Sequence, residues 1–393
     1  MLENRIDFYR EWCKRDKGKS PVLFPPDLSQ SSISYGRLYR QLWYTFEGGA
    51  RYFEKSLKKG WLKTPRRWRI LLSLAFAEII WDQQEKHYAS VNEWVEIAKK
   101  ETGNISSKVI NGNLRTLLRE IDSKSFTLQM ALPDSLIKQW ESNRLEPSQM
   151  VEVLRKGNFL HWHFLKNTDM LQEEECQLIE WENIKCFQLN QGLSPNHFLK
   201  GENLGFFQNI NAAKIAANVI NSTDINTPIL DLCSAPGGKS WQMAKLQPLK
   251  NIHMHEVNPK RAKLIVENKI FTSYENISFI DEDVLKKRNY SEILIDVPCS
   301  NSGVLAKNPE AIKHFWTPED SFKDIQHQIF DFACEILNSS GSLFYSTCSI
   351  NARENDFRIQ EFLNKTNSQL IFEKKYYPDI HGEHGGYLAQ IKM

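Results

Sequence analysis

The chain has 393 residues, of which 41% are hydrophobic and 25% are charged, and its formal net charge is +2. This composition is typical of a globular protein with two or three domains, and it excludes a disordered or fibrous chain. No apolar segment follows a basic N-terminus, and the longest apolar-rich run, residues 70–81, is too short to span a bilayer. We therefore expect a cytoplasmic protein that has no membrane partner.

Seven cysteines are spread along the chain, and no two of them form a CxxC pair. The odd number argues against a disulfide framework, and the missing pairs argue against a zinc finger. We therefore expect no metal site, and each cysteine has to be interpreted on its own.

Positive charge is concentrated near the N-terminus. Residues 1–123 contain 22 Lys and Arg against 15 Asp and Glu, and residues 51–70 alone contain eight basic residues and one acid. Four aromatic residues are interleaved with them: Tyr52, Phe53, Trp61 and Trp68. Basic side chains neutralise phosphates and aromatic rings stack on unpaired bases, so this segment could bind RNA. A solvated helix face whose aromatic residues belong to the core is an equally good interpretation.

The first 123 residues are predicted to form an all-helical domain. Apolar residues recur at helical spacing in residues 71–79, 91–98 and 110–118. Ser90 stands where it could cap the second of these helices. No alternating strand pattern interrupts the helical pattern, which favours a purely helical domain over residues 1–123.

A small α+β module is predicted over residues 124–200. Residues 136–140 have a helical pattern, residues 159–165 alternate as a strand does, and residues 173–182 have the pattern of a helix. This mixed content separates the module from the regions on either side.

Residues 201–393 alternate between strand and helix patterns. The strands are predicted at residues 228–232, 252–256, 277–280, 293–297 and 342–347. Asn258 and Pro259 open one intervening helix, and residues 318–337 form a longer one. This alternation predicts a doubly wound, mainly parallel sheet, which binds its ligands at the carboxyl ends of the strands.

The first strand of this region ends in the sequence ILDLCSAPGGKS, residues 229–240. Gly237 and Gly238 let a ligand approach the backbone closely, and the following helix N-terminus favours its anionic parts. The pattern is not GxGxxG, which weakens a dinucleotide site. Glu256 ends the next strand, where an acid can accept the hydroxyl groups of a ribose, and Asp283 follows the third. A tight turn and solvated loop acids remain the alternative.

Two further strands each end in a Cys-Ser pair. They are ILIDVPCSNSGVL, residues 293–305, and GSLFYSTCSIN, residues 341–351. A cysteine inside a strand is usually an inert small hydrophobic residue, but Cys299 and Cys348 lie just past strand ends, where loops expose side chains. A disulfide between them is the rival explanation, and a reducing cytoplasm disfavours it.

These three segments carry a family resemblance. LDLCSAPGGKS, DVPCSNSG and FYSTCSI resemble the strand-end motifs of RNA 5-methylcytosine methyltransferases that have two active-site cysteines, and they occur in the same order within about 120 residues. RILLSLAFAEIIW and VINGNLRTLLRE resemble a NusB-like RNA-binding domain. This domain order is similar to that of the bacterial RsmB/Sun-type 16S ribosomal RNA methyltransferases. The resemblance covers nearly the whole chain.

The resemblance implies an α/β fold in which residues 201–393 form a Rossmann-like S-adenosylmethionine-dependent methyltransferase domain with a mainly parallel sheet. An all-helical NusB-like domain, residues 1–123, and the small α+β linking module, residues 124–200, precede it. The cofactor S-adenosyl-L-methionine is expected to contact Cys233, Ser234, Ala235, Pro236, Gly237, Gly238, Lys239, Glu256, Arg261, Asp283 and Asp296.

The resemblance also implies the catalytic roles. It assigns the nucleophile to Cys348, the support of charge at cytosine N3 to Asp296, and breakdown of the covalent adduct to Cys299. The residues alone do not distinguish the two cysteines. Lys239 is our candidate for the cation that favours a thiolate, although its side chain could instead pack only on the cofactor.

The expected substrate is one cytosine of 16S ribosomal RNA, either naked or in an early small-subunit particle, methylated at C5 by a monomeric enzyme. A transfer RNA methyltransferase of the same chemistry is one alternative. A ribosome assembly factor that binds RNA without catalysis is another, from a different functional class. The sequence does not identify the modified nucleotide.

Overall fold

A computed structural model describes residues 5–7, 9–10, 13, 33–57, 60–82, 84–157, 161–164, 176–181, 184–189, 205–266, 274–285, 289–316 and 320–393. The chain divides into two compact units. The first comprises Met1–Gly157 and Pro309–Pro318, and the second comprises Asn158–Asn308 and Glu319–Met393.

The described part of residues 1–123 is helical, as the sequence predicts, and the rest of the first unit also contains helices and no strands among its described residues. Its helices are α1 (Ile33–Leu57), α2 (Gly60–Lys63), α3 (Arg66–Ile79), α4 (His87–Thr102), α5 (Asn104–Asp122), α6 (Asp134–Ser142) and α7 (Pro147–Lys156), with a further short helix at Lys313–Trp316. The last ten residues of α3 are all buried, and α5 buries the predicted stripe that includes Ile110 and Leu114. Ser90 does not cap α4 but lies inside it, where its hydroxyl donates to Asp82.

Four strands at the start of the second unit form an antiparallel sheet in the order β2-β3-β1-β4. They are β1 (His161–Phe164), β2 (Cys176–Trp181), β3 (Ile184–Leu189) and β4 (Gly205–Phe207).

The helix predicted at residues 173–182 is wrong, because Cys176–Trp181 is strand β2. Ile179 and Trp181, two positions apart, pack against the buried Ile184 and Cys186, so the segment has the period of a strand. The predicted strand at residues 159–165 is confirmed for His161–Phe164. Residues 124–200 are shared between the two units, and their treatment as a separate module stays a prediction.

The larger sheet of the second unit has seven strands in the order β10-β11-β9-β8-β5-β6-β7. These are β5 (Ile229–Asp231), β6 (Ile252–Met254), β7 (Ile277–Phe279), β8 (Tyr290–Asp296), β9 (Leu337–Thr347), β10 (Gln369–Tyr376) and β11 (Gly386–Lys392). Strands β5 to β9 pair in parallel, and β10 and β11 add an antiparallel edge. The predicted mainly parallel sheet is therefore confirmed, with all five predicted strands in it.

Helices and apolar residues cover this sheet on both faces. The helices are α8 (Ile210–Asn221), α9 (Gly238–Leu246), α10 (Pro259–Val266), α11 (Glu282–Leu285), α12 (Lys323–Glu335) and α13 (Asp356–Thr366). Ile293 and Tyr345 belong to one buried cluster, and their neighbours Leu294 and Phe344 belong to another. Alternate residues of the central strands thus point into two separate cores, which is why these strands are almost continuously apolar.

In the part of the chain that the structure describes, no helix combines the length and the hydropathy needed to cross a membrane.

Candidate active site

The predicted site motifs follow the carboxyl ends of neighbouring strands of the large sheet. Asp231 ends β5, Asp296 ends β8 and Thr347 ends β9, and these three strands are neighbours. The register pairs Asp296 with Ser346 and Asp231 with Leu294, so the carboxyl ends lie close together. The chain fills the sheet in one direction from β5 to β7 and in the other from β8 to β9. This switch point is where open α/β sheets bind their ligands.

Lys239, which is buried, forms an ion pair with the partly exposed Asp296 at the carboxyl ends of these strands. The Nζ atom of Lys239 lies 2.5 Å from Oδ2 of Asp296, and the hydroxyl of Ser346 donates to Oδ1 at 2.9 Å. Burial alone would lower the pKa of Lys239, but the negative groups of Asp296 and Cys348 outweigh it and raise the pKa above its ordinary value. Lys239 therefore stays charged beside both groups.

Cys299 and Cys348 belong to the same cluster, and both are free thiols. Burial raises the pKa of Cys348; Lys239 and Lys307 lower it, and Asp296 raises it further. Burial also raises the pKa of Cys299, and the negative charges of Cys348 and Asp296 raise it further. The two thiols and the carboxylate thus act on one another electrostatically, although 49 positions separate the cysteines along the chain.

The glycine-containing loop that follows β5 is held by several hydrogen bonds. Gly237 caps α9 with φ of +106°, and a Cβ atom there would lie 3.2 Å from the ring of Trp241, so this position favours glycine. The hydroxyl of Ser234 donates to the carbonyl of His255 at 2.9 Å, and Arg261 Nη2 donates to the carbonyl of Ala235 at 2.6 Å. The loop therefore presents backbone N–H groups at the helix N-terminus in a fixed conformation.

Glu256 lies just past the end of β6, and its side chain is buried. Its Oε1 atom accepts a hydrogen bond from the backbone N–H of Asn258 at 3.0 Å. Its Oε2 atom lies 3.5 Å from Nη1 of Arg261 and accepts no hydrogen bond. Arg261 therefore contacts both the glycine loop and this carboxylate, which fixes the predicted cofactor residues of two strands relative to each other.

Asp231 is a site residue that the sequence analysis missed. It is buried at the end of β5, accepts a hydrogen bond from the Ser240 hydroxyl through Oδ2, and has no hydrogen-bond partner at Oδ1. Its position at the end of a strand, equivalent to that of Asp296, was a signal that could have identified it.

The remaining predicted contacts lie around this loop. Cys233 is half-buried, and its pKa is raised by burial and then by the charges of Asp231 and Glu256. Pro236 lies in the turn before α9, and Gly238 is the first residue of this helix. Asp283 is exposed in the first turn of α11, after the end of β7. No group of three or more potential metal ligands occurs among the residues that were searched, which are the described ones.

The buried acids at the ends of β5 and β6 fit the predicted cofactor. Asp231 Oδ1 and Glu256 Oε2 are buried acceptors without a hydrogen-bond donor, and a buried acceptor of this kind is unfavourable unless a ligand or water supplies one. The hydroxyl and amino groups of S-adenosylmethionine are donors of the required type. The residues present are therefore compatible with this cofactor.

Replacing Asp231 with asparagine is expected to change how stability depends on pH. Burial raises the pKa of Asp231 to about 7. Between about pH 4 and pH 7 the folded state binds a proton that the unfolded state releases, so the free energy of unfolding falls as pH rises through this window. Between pH 5 and pH 8, Asp231 should lower the free energy of unfolding of the unsubstituted protein by about 2–3 kcal/mol. We expect this decrease to be absent from Asp231→Asn, as measured by urea unfolding at several pH values.

The control is Asp283→Asn, because Asp283 is an exposed acid of the same unit. It should leave the pH dependence as it is in the unsubstituted protein. If the free energy of unfolding depended on pH in the same way in the Asp231 variant and the unsubstituted protein, Asp231 would be ionised at pH 5 in the folded state.

Two family models match separate parts of the chain. Residues 217–389 match the model described as 16S rRNA methyltransferase RsmB/F, and residues 38–119 match the NusB family. The first match contains every predicted cofactor and catalytic residue, and the second contains the basic segment at residues 51–70.

Curated proteins with similar sequences carry related names. The chain is 27% identical over 302 residues to the ribosomal RNA small subunit methyltransferase B of Shewanella oneidensis, which covers 71% of this chain and 69% of that protein. It is 26% identical over 332 residues to the probable ribosomal RNA small subunit methyltransferase B of Bacillus subtilis, covering 75% and 72%. The solved structure of PH0851 has a TM-score of 0.64 at 16% identity and covers 100% of this chain and 96% of its own, which supports the fold.

Proposed function

We propose that this chain methylates C5 of a cytosine in 16S ribosomal RNA, because residues 217–389 match the model described as 16S rRNA methyltransferase RsmB/F and residues 38–119 match the NusB family. The cluster of Cys299, Cys348, Asp296 and Lys239 carries this proposal. C5 of cytosine is a weak nucleophile, and activating it requires a thiolate, a charge-stabilising group and a base at one place. The cluster contains all three.

The cofactor site of the proposed enzyme is the edge formed by the ends of β5 and β6. When bound, S-adenosylmethionine supplies an electrophilic methyl group. Asp231 and Glu256 would accept hydrogen bonds from it, and the N–H groups at the start of α9 would face its carboxylate. Arg261 keeps Glu256 and the loop in place for this contact.

Cys348 would act as the nucleophile. Burial disfavours its thiolate, whereas Lys239 favours it, because the lysine holds a positive charge next to the sulfur. The thiolate forms a bond to C6 of the cytosine, and the electrons of the C5–C6 double bond make C5 nucleophilic. C5 would then be nucleophilic enough to accept the methyl group that S-adenosylmethionine supplies when bound.

Asp296 and Cys299 would complete the reaction. Asp296 would give a proton to N3 as C6 is attacked and take it back when the adduct breaks down, and Lys239 and Ser346 would stabilise its carboxylate in between. Cys299 then takes the proton from C5. The electrons of the broken C5–H bond restore the C5–C6 double bond, and the electrons of the C6–S bond leave with the sulfur, so that the Cys348 thiolate is regenerated.

Methyl transfer to defined RNA pools tests the proposal. Purified protein should transfer labelled methyl groups from S-adenosylmethionine to 16S ribosomal RNA, either naked or in an early small-subunit particle. Bisulfite sequencing should then find one protected cytosine that is unprotected in RNA from cells without the protein. Label in transfer RNA alone would favour a transfer RNA methyltransferase, and no label in any pool would favour a non-catalytic assembly factor.

The helical unit is proposed to bind RNA through charge and not through stacking. Tyr52, Phe53 and Trp61, three of the four aromatic residues in the basic segment, are buried, so they belong to the core. Lys63, Arg66 and Arg67 are exposed. Basic side chains of this kind contact phosphates and give an affinity that depends on salt concentration.

Replacing Lys63, Arg66 and Arg67 with alanine should weaken RNA binding. We expect the slope of log affinity against log salt concentration to become shallower by up to about 2, since each phosphate contact to single-stranded RNA contributes about 0.7. Arg69 is left in place because its guanidinium group packs over the ring of Trp61. Equilibrium binding at several salt concentrations measures the slope, with Lys99→Ala and Lys100→Ala as a control at the end of α4. An unchanged slope would indicate that the segment is a solvated helix face that does not contact RNA phosphates.

A further inference from the structure

A buried glutamate connects the two loops that carry the cysteines. Glu354 is 3% exposed and lies between the end of β9 and the start of α13. Its Oε1 atom accepts the backbone N–H of Ser300 at 2.8 Å, and its Oε2 atom accepts the hydroxyl of Ser300 at 2.6 Å. Oε2 also accepts the hydroxyl of Ser349 at 2.5 Å. Ser300 follows Cys299 and Ser349 follows Cys348, so one carboxylate binds the residue next to each thiol.

A third serine extends this connection. The backbone N–H of Ile350 donates to Ser302 Oγ at 2.9 Å, and Ser302 Oγ lies 2.8 Å from Ser349 Oγ. Because the Ser349 hydrogen is directed to Glu354, the Ser302 hydroxyl must donate to Ser349. The carboxylate, which only accepts, thus sets the direction of the whole chain of hydroxyl groups. An amide at this position would remove or reverse at least one of these bonds, because its NH2 group donates and cannot accept.

The backbone around Glu354 is itself held in place. Its carbonyl accepts a hydrogen bond from the Tyr345 hydroxyl at 2.7 Å. The next residue, Asn355, accepts from the Thr347 hydroxyl at 2.7 Å and donates to the Ser349 carbonyl at 2.9 Å. The glutamate is therefore a fixed point between the loops and not a side chain that moves with either of them.

We propose that Glu354 is a positioning residue that sets the distance and orientation of Cys299 relative to Cys348 through Ser300 and Ser349, and this inference rests on the proposed two-cysteine reaction. The reaction needs one sulfur at C6 and the other within reach of C5 of the same base. A misplacement of about 1 Å costs an enzyme on the order of 100-fold in rate, so a shared anchor for the two loops matters directly for turnover.

The test compares Glu354→Gln with Glu292→Gln. Glu292 is also buried and accepts three or more hydrogen bonds, including those from the Asp224 N–H and Lys250, but it lies near the start of β8, at the opposite end of the strand from Asp296. Both variants keep side-chain volume. Three measurements are made on each full-length protein: kcat and KM for RNA methylation, the melting temperature, and the rate at which iodoacetamide alkylates Cys348 as a function of pH.

We expect Glu354→Gln to lower kcat about tenfold, to leave KM for S-adenosylmethionine within about twofold, and to shift the pH profile of Cys348 alkylation. Ser349→Ala, which removes one arm of the connection, should shift the same profile. Glu292→Gln should lower only the melting temperature. An unchanged kcat and alkylation profile in Glu354→Gln, or equal effects in the two glutamine variants, would overturn the proposal.

The alkylation and melting experiments do not depend on methylation. If the unsubstituted protein methylates no RNA, the proposed function fails, while the alkylation profiles still decide whether Glu354 positions the cysteines.

Discussion

Replacing Cys348 with alanine should reduce RNA methylation by at least about 1,000-fold, because covalent activation of C6 is then lost together with the thiol whose thiolate Lys239 favours. The affinity for S-adenosylmethionine should stay within about threefold, since the acids and the loop proposed to bind it, at the ends of β5 and β6, are unchanged. Transfer of labelled methyl groups and calorimetric titration of the cofactor measure the two effects separately.

Cys334→Ala is the matched control for this variant. Cys334 is a partly buried thiol of α12 that packs against the core of the same unit. It should keep methylation close to that of the unsubstituted protein. A Cys348 variant that retains more than a tenth of the activity would exclude this residue as the nucleophile.

Replacing Cys299 with alanine should stop turnover in a different way. The thiolate of Cys348 and its neighbour Lys239 remain, so C6 is still attacked and C5 is still methylated. Removal of the C5 proton is slowed, because the neighbouring thiol that would accept it is absent. We therefore expect a protein–RNA adduct to accumulate and to appear as a slowly migrating band on a denaturing gel.

The double variant Cys299→Ala and Cys348→Ala serves as the control and should give no such band. Both cofactor and RNA must be present for the band to reach its full intensity. A band from the Cys348→Ala variant, and none from Cys299→Ala, would exchange the roles of the two cysteines.

Much of the fold of the second unit follows from local sequence patterns. The strands that end in Asp231, Asp296 and Thr347 are short apolar runs followed by glycine, proline or serine, and such runs mark buried strands of a parallel sheet. Because parallel strands end at the same edge, the pattern also predicts that the cysteines lie at one edge of the sheet. The structure places both of them there.

Features that depend on long-range contacts could not be predicted. The segment at residues 173–182 has enough polar residues at helical spacing to resemble a helix, and only pairing with Ile184–Leu189 makes part of it a strand. The burial of Trp61 likewise depends on packing against Phe53, which local composition does not reveal.

In the candidate site, too, local sequence predicts some features, whereas others depend on contacts between distant parts of the chain. Lys239 was recognised as a cation of the motif, but its ion pair with Asp296 joins residues 57 positions apart. Glu354 has no motif of its own that points to the cysteines, and its bonds to Ser300 span 54 positions. Roles that arise from such pairs require the folded arrangement, because neither partner is unusual in its local sequence.

The most direct test of the covalent reaction uses the unsubstituted protein and RNA in which 5-azacytosine replaces cytosine. The nitrogen at position 5 carries no proton to be removed, so attack at C6 is expected to leave a stable bond between the base and the protein. Digestion and mass spectrometry of the adduct should find the nucleotide on the peptide that contains Cys348. A nucleotide on Cys299, or the absence of any adduct, would contradict the assignment of Cys348 as the nucleophile.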